Sequence, residues 1–345
     1  MSHTPTSTGV FISWLAFQRR SETLAQDLNL QLAYFHYSWE EKHKALKALS
    51  YLCKFVATLW FLIRKKPHVV FVQLAPTPAL YAVALYAFFT GVQYISDCHN
   101  TMLYDGHWLH WPLAKKLLKR SSLVLVHNEE VKAVADKLGI MSIIYMDPPP
   151  AIVPDRSIQQ VAGINLKTDR YILLPCNMAA DDEPAEAFFA AARQLSHIRF
   201  VLTGYIEKIP AYLRPQAPAN VHYTGFLAED AFNALYAHAH AAIVLSTREG
   251  TQPSGASEAI ALGIPLLVTD LLTTRKIYKD WVMFTRNTAD SLVQHIGALL
   301  EHREQYASRI AFARLSIEKQ TNAQRLKLQE CLHSLNTQDL STATH

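Results

Sequence analysis

Two runs of alternating strands and helices, separated by a proline cluster, leave this chain few folds to adopt. β-Branched and aromatic stretches recur at Gly9–Trp14, Gln31–Tyr37, His68–Leu74, Val92–Asp97, Leu123–Asn128 and Met141–Tyr145. Apolar or amphipathic helical patterns such as Ala79–Phe89 and Leu113–Lys119 lie between them. Asp147, Pro148, Pro149, Pro150 and then Pro154 break the rhythm, and a proline cluster lacks ladder donors, so it reads as a stiff linker. The alternation restarts at Tyr171–Cys176, Ile198–Thr203, Val221–Thr224, Ala241–Leu245, Pro265–Thr269 and Val282–Thr285. Helices are expected over Glu183–Leu195, Glu229–His238, Pro253–Leu262 and Ala289–Glu301. Strands spaced by helices pair in parallel with both sheet faces covered. The expectation is an α/β protein of two doubly wound domains, 1–150 and 151–301, facing across a cleft at the carboxyl ends of their strands. The tail His302–Leu335 repeats Ile310, Phe312, Leu315, Leu326, Leu328, Cys331 and Leu332 at helical spacing and is expected to pack back onto the first domain.

Composition supports large cores. Half of the 345 residues are hydrophobic and 18% are charged, against about 25% in an average soluble protein. That excludes a disordered or fibrous chain. Residues 1–150 hold 15 Lys/Arg and 10 Asp/Glu, a balance of +5, so the first half is suited to an anionic partner. Cys53, Cys98, Cys176 and Cys331 sit in apolar runs without metal spacing and read as reduced core residues of a cytoplasmic protein. Met1–Gly9 lacks the pattern of a secretory signal.

The most apolar stretch, Ala48–Ile63, contains one charge, Lys54. Lys42, Lys44 and Lys47 precede it, and Arg64, Lys65 and Lys66 follow. Three readings stay open: a buried helix with basic ends, a monotopic helix on an anionic membrane surface, or a membrane span, for which it is slightly short.

The stretch with most chemistry runs from Leu245 to Val268. A strand ends at Ser246 or Thr247, a loop carries Gly250, and a helix starts near Pro253 and stops at Gly263. A helix N-terminus fed by such a loop offers unpaired N–H groups to an anion. Ser254, Gly255 and Ala256 are candidates for cradling a diphosphate, with Arg248 as countercharge. Glu258, one turn inside the helix, is placed to accept from two vicinal hydroxyls, and Glu249 on the loop to meet a sugar.

These residues resemble the donor-binding signature of GT-B glycosyltransferases, especially the retaining family 4. The resemblance implies two Rossmann-like domains and a UDP- or GDP-sugar as donor rather than a bound cofactor. It implies that Glu258 holds the ribose, that Glu249 contacts the sugar, and that amides around Gly250, Thr251, Ser254, Gly255 and Ala256 meet the phosphates. Tyr223–Phe226, with Gly225, is similar to that family's approach to the base. Two features depart from it. Eight residues separate Glu249 from Glu258 where seven are usual, and Pro175–Pro184 is acidic where Arg and Lys are expected. Arg248, or Arg275 and Lys276, would then supply the positive charge.

In the first half, Val72–Leu80 and Tyr94–Asn100 are similar to the acceptor half of chitobiosyldiphosphodolichol β-mannosyltransferases, with a Gln-x-x-Pro element and an Asp-x-His-Asn strand end. Asp97 and His99 are the catalytic candidates there, and Arg19, Arg20, Asn100 and Asp105 the acceptor-side ones. One resemblance implies retention and the other inversion. No Asp-x-Asp, G-x-G-x-x-G after the first strand, Walker loop or G-x-S-x-G is present, which argues against metal-dependent transferases, dinucleotide dehydrogenases, P-loop enzymes and serine hydrolases. The expected activity is metal-independent transfer of a hexose to a lipid-linked or membrane-borne saccharide in polysaccharide synthesis, at the inner face of a membrane and without nucleic acid. A GT-B sugar-nucleotide epimerase and a non-catalytic GT-B partner subunit are the alternatives.

Overall fold

A computed structural model describes residues 9–42, 46–103, 106–176, 178, 183–250 and 252–342. The chain forms two compact units, Met1–Asp147 with Thr321–His345, and Pro148–Gln320.

In the first unit, β1 (Gly9–Ser13), β2 (Gln31–Tyr34), β3 (Val69–Leu74), β4 (Gln93–Cys98), β5 (Leu123–Val126) and β6 (Ser142–Ile144) form one sheet in the order β2-β1-β3-β4-β5-β6. Every pairing is parallel. The strand expected to reach Tyr37 stops at Tyr34, because β1 ends at Ser13, whose carbonyl accepts from the Phe35 amide and closes the ladder. One sheet face carries Val10, Ile12, Val70, Val72 and Val124 against Leu62, Leu80, Val83 and Leu118 from helices 47–65, 77–90 and 114–120. The other carries Phe11, Phe71, Ile95 and Leu125 against Leu24 and Leu328.

Helix Lys47–Lys65 packs Tyr51, Phe55, Leu59 and Phe61 partly against the core and leaves a second apolar stripe outside. Its buried side chains are Ser50, Lys54, Thr58 and Leu62, while Leu49, Leu52, Val56, Trp60 and Ile63 are exposed. Lys54 is 2% exposed and donates to Glu40 Oε1 at 2.6 Å and to the Trp14 carbonyl at 3.2 Å. Neither a simple core helix nor a span fits this, and no helix among the described residues is long and apolar enough to cross a membrane.

The second unit opens with a short antiparallel pair that sequence reading did not anticipate, β7 (Gln160–Val161) and β8 (Ile164–Asn165). Its main sheet contains β9 (Ile172–Leu174), β10 (Phe200–Leu202), β11 (Val221–Tyr223), β12 (Ala241–Val244), β13 (Leu266–Thr269) and β14 (Met283–Thr285). The order is β11-β10-β9-β12-β13-β14, all parallel, the 3-2-1-4-5-6 winding of dinucleotide-binding sheets. The order reverses between β9 and β12, the place where such sheets bind ligands beyond their carboxyl ends. The last helix, Arg303–Thr342, belongs to the second unit up to Gln320 and to the first from Thr321. Ile310, Ile317 and Leu328 are buried, whereas Phe312, Leu315 and Leu326, expected inside, are exposed.

Candidate functional site

The second sheet's reversal point is where the Leu245–Val268 motif sits. After β12, the loop is pinned to the neighbouring strand ends. The Ser246 amide donates to Thr269 Oγ1 at 3.1 Å, Asn287 Nδ2 to the Ser246 carbonyl at 3.0 Å, and the Gly250 amide to Thr273 Oγ1 at 2.8 Å. Helix Ser254–Leu262 follows, with Pro253 before it and no side-chain cap. The amides of Ser254 and Gly255 make no hydrogen bond among the described residues, while those of Ala256 and Ser257 turn back to the Pro253 carbonyl. Gly255 is required sterically: a Cβ there would stand 2.5 Å from Pro175 Cγ and 3.3 Å from Val244 Cγ2. The helix start is thus pressed against the ends of β9 and β12. At the other end, Gly263 at φ +75° lets the Ile264 amide reach the Ala259 carbonyl at 2.9 Å and stops the helix.

Arg248 is exposed and its guanidinium makes no hydrogen bond or ion pair among the described residues, so it can meet an anion. Arg275 cannot serve equally. It pairs with Asp270, Nη2 to Oδ2 at 2.7 Å, and lies over the Phe284 ring at 4.7 Å. Glu258 is buried beside Tyr236, a fully buried phenol pushed well above its ordinary value first by burial and then by the Glu258 charge. The Tyr236 hydroxyl donates to the Gly255 carbonyl at 2.6 Å and steadies the helix start.

Glu249 differs from expectation. Its carboxylate accepts from the Leu272 amide at 3.0 Å and from the Thr273 amide and hydroxyl at 3.2 Å, so it caps helix Leu272–Tyr278 rather than standing open to a sugar. Gly225 takes φ +73° and brings Phe226 onto Tyr205, with ring centroids 4.7 Å apart and planes 11° from parallel. Both rings are exposed at the ends of β10 and β11, a platform suited to a planar base. Thr251 lies outside the described residues.

The first unit gathers a polar row at its own strand ends. Register aligns Gln73 with Asp97 and runs on to place Ser13 beside Gln73, whose side chains bond at 3.0 Å. The same phase carries Asp97↔Leu125 on to residues 99 and 127, and the His99 and His127 rings lie 4.5 Å apart. Asp97 is 0% exposed and takes bonds from Arg20 Nε at 3.0 Å and Nη2 at 2.8 Å. Arg20 Nη1 also donates to the Tyr145 carbonyl at 2.8 Å and to Asp147. This corrects two expectations. Arg20 is buried and neutralised rather than open to an acceptor, and Asp97 anchors Arg20 rather than standing free as a base.

Burial alone would raise the Asp97 carboxyl, but Arg20, with smaller help from His99 and His127, holds it below the carboxylate range. Burial first, and then Arg20, keeps His127 well below its ordinary value; burial also lowers His99, against the pull of Asp97. Both imidazoles are therefore neutral near pH 7. Gln18 Oε1 accepts from the Ser21 hydroxyl at 2.7 Å, which turns its amide nitrogen to His99 Nε2, also at 2.7 Å. His99 Nε2 then acts as acceptor. Arg19 is exposed, and Asn100 opens the short helix Asn100–Leu103 just beyond His99. Asp105 lies outside the described residues. Gln18, His127, Tyr236 and Pro175 were not singled out from sequence, although His127 ends its strand as His99 ends its own.

Residues 170–302 match the family model described as glycosyl transferases group 1. No curated protein matches the chain. Among solved structures, sucrose-phosphate synthase from Thermosynechococcus elongatus superposes with a TM-score of 0.74 at 11% identity, covering 96% of this chain and 99% of that one. Anabaena Alr3699/HepE in complex with UDP gives 0.68 at 13% identity, covering 95% and 100%. The α,α-trehalose 6-phosphate synthase of Burkholderia multivorans gives 0.67 at 11% identity, covering 98% of each chain. The architecture is the GT-B fold of two Rossmann-like units.

Proposed function

We propose that this chain transfers a hexose from a nucleoside diphosphate donor to a lipid-linked or membrane-borne saccharide in polysaccharide synthesis, working at the anionic inner face of a membrane. The observation that carries it is the second sheet's reversal point, where, among the described residues, the Ser254 and Gly255 amides and the Arg248 guanidinium make no hydrogen bond, with Glu258 buried in the same helix. A helix N-terminus and an arginine can stabilise a leaving diphosphate without a metal. Glu258 is assigned to the ribose, the Tyr205–Phe226 pair to the base, and Glu249 to holding the loop. The match of residues 170–302 to the glycosyl transferase model supports the donor assignment, and the UDP complex of the similar Anabaena protein favours uridine. In the first unit, neutral His99, whose Nε2 accepts from Gln18 and whose Nδ1 therefore carries the proton, is assigned to orienting an acceptor hydroxyl.

Calorimetry with UDP and GDP, followed by incubation with UDP- and GDP-sugars, tests this. Tight binding with slow release of nucleotide from one donor is expected. An isomerised donor would replace transfer by epimerisation, and absence of nucleotide binding would leave a non-catalytic partner subunit.

A further inference from the structure

We infer that the outer surface of helices 47–65, 77–90 and 114–120 lies flat on an anionic lipid bilayer, with Phe88 and Phe89 as its inserted tip. This deepens the membrane reading above by naming the surface, and rests on that reading only in that the bilayer carries the acceptor.

The first support is the helix's second apolar stripe. A helix folding in water turns its apolar stripe inward. Helix Lys47–Lys65 packs Tyr51, Phe55, Leu59 and Leu62 on the core, yet it also buries Ser50, Lys54 and Thr58, held by defined bonds, and leaves a full apolar stripe outside. Lys54 is clipped to Glu40 and the Trp14 carbonyl, Ser50 bonds the same Glu40, and Thr58 accepts from Trp14 Nε1 at 3.0 Å. The outward stripe of Leu49, Leu52, Val56, Trp60 and Ile63 therefore runs roughly 21 Å along the helix. A straight stripe of that length suits a plane better than a groove.

The adjacent helix extends the face. Leu85 is exposed, and Phe88 and Phe89 at its end are 73% and 76% exposed with their rings edge to face at 5.3 Å. Two cavities of about 490 and 330 Å³ flank that tip, the first lined by Lys66 and His68 and the second by Arg120. Leu113 is exposed beside the third helix.

Charge selects the occupant. The three helices contain no Asp or Glu at all. Lys47, Arg64, Lys65, Lys66, Lys115, Lys116, Lys119 and Arg120 are all exposed around them. Two copies meeting through this face would set cation against cation, so a self-dimer is disfavoured. Headgroup phosphates match the basic rim and acyl chains the stripe, and Arg64 already stacks over Trp60 at 4.6 Å, as at a membrane interface.

The test is co-sedimentation of the full chain with phosphatidylcholine vesicles, with and without phosphatidylglycerol. Wild type should bind the anionic vesicles alone. Arg64→Gln, Lys65→Gln and Lys66→Gln together should weaken that binding about fivefold per charge, roughly a hundredfold in all. Phe88→Ser with Phe89→Ser should weaken it at least tenfold. Phe312→Ser, an exposed apolar residue of the second unit, should bind like wild type. Circular dichroism confirms that each variant is folded. Equal binding of wild type and the Gln variant to neutral and anionic vesicles overturns the inference, as does a dimer in light scattering that the Phe88/Phe89 variant abolishes without any vesicle binding. Nucleotide affinity should be unchanged in every variant, so its absence with vesicle binding intact would sink the transfer reading alone.

Discussion

Arg20 meets Asp97 side-on, Nε and Nη2 both donating to the carboxylate at 2.8–3.0 Å, with both side chains withdrawn from solvent. The pair fixes helix Arg19–Asp27 over the ends of β1 and β4, and through Asp147 and the Tyr145 carbonyl it holds the last residues of the first unit before the prolines. Asp97→Asn should cost about 3 kcal/mol, because Arg20 is left buried with only the partly exposed Asp147 to offset its charge. Urea denaturation reads this, and a loss below about 1 kcal/mol would show that solvent reaches the site.

The same cluster sets an acid response with two limbs. Both histidines are held below their ordinary value. Between their folded values and about 6.5, the unfolded chain binds more protons, so stability declines as pH drops through that window. The Asp97 carboxyl is depressed, so its contribution is complete above about 3.9 and is lost as pH drops further toward its folded value. Stability against pH should show both limbs in wild type. His127→Gln should make the upper limb shallower, leaving the His99 part, and keep the lower one.

Lys54, buried, and Glu40, partly buried, form another ion pair, at 2.6 Å. Lys54→Met alone strips a partly buried carboxylate of its partner and should destabilise by about 3 kcal/mol, whereas Lys54→Met with Glu40→Leu should recover most of the loss. Thermal melts of the two variants decide it; equal melting temperatures would mean that the pair contributes little.

The strand rhythm was readable because parallel strands buried on both faces are near-continuous apolar runs, such as Val69–Leu74. The strand–loop–helix motif of Leu245–Val268 was readable because its glycines and polar residues are local in sequence. What escaped was set by register and by reach across the fold. His99 faces His127 only because β4 and β5 pair Asp97 with Leu125. Arg20 and Asp97 are 77 positions apart, and nothing local tells that the arginine turns inward. Glu249 lies next to Arg248 on the loop, yet it is drawn to amides 23 and 24 residues on. The outward stripe of helix 47–65 was legible as amphipathic content, but not which face would be buried.

Activity should persist in EDTA, since the sequence has no Asp-x-Asp to place a divalent ion on a diphosphate. Loss of transfer on chelation with recovery in Mg²⁺ or Mn²⁺ would require a metal in the mechanism.

Gly255→Ala sets helix propensity against space. Alanine is better than glycine in a helix by about 1 kcal/mol. Its Cβ, however, would stand 2.5 Å from a proline ring that has little freedom to yield. Overpacking of this kind costs about 1–3 kcal/mol, so the clash should win or draw. The helix start must then move away from β9, carrying the Ser254 amide with it. Nucleoside diphosphate affinity by calorimetry should drop about tenfold or more, and unaltered affinity would remove these amides from the donor site.

Glu249→Gln and Glu258→Gln separate a cap from a ligand. Glu249 accepts three hydrogen bonds at the start of helix Leu272–Tyr278, where an anion also complements the helix dipole. A glutamine offers one acceptor oxygen and no charge, so the variant should lose about 1 kcal/mol in unfolding experiments. Because the Gly250 amide still holds Thr273, nucleotide affinity should change little, with any decline appearing in kcat. Glu258 should behave oppositely. Its bonds to ribose hydroxyls would be charge-assisted, about twice as strong as neutral ones, so its neutral amide should bind UDP at least tenfold more weakly. Its stability should stay close to wild type, since Tyr236 keeps its bond to the Gly255 carbonyl. Full UDP affinity in Glu258→Gln would take the ribose away from this carboxylate. Full stability with lost turnover in Glu249→Gln would return Glu249 to the sugar.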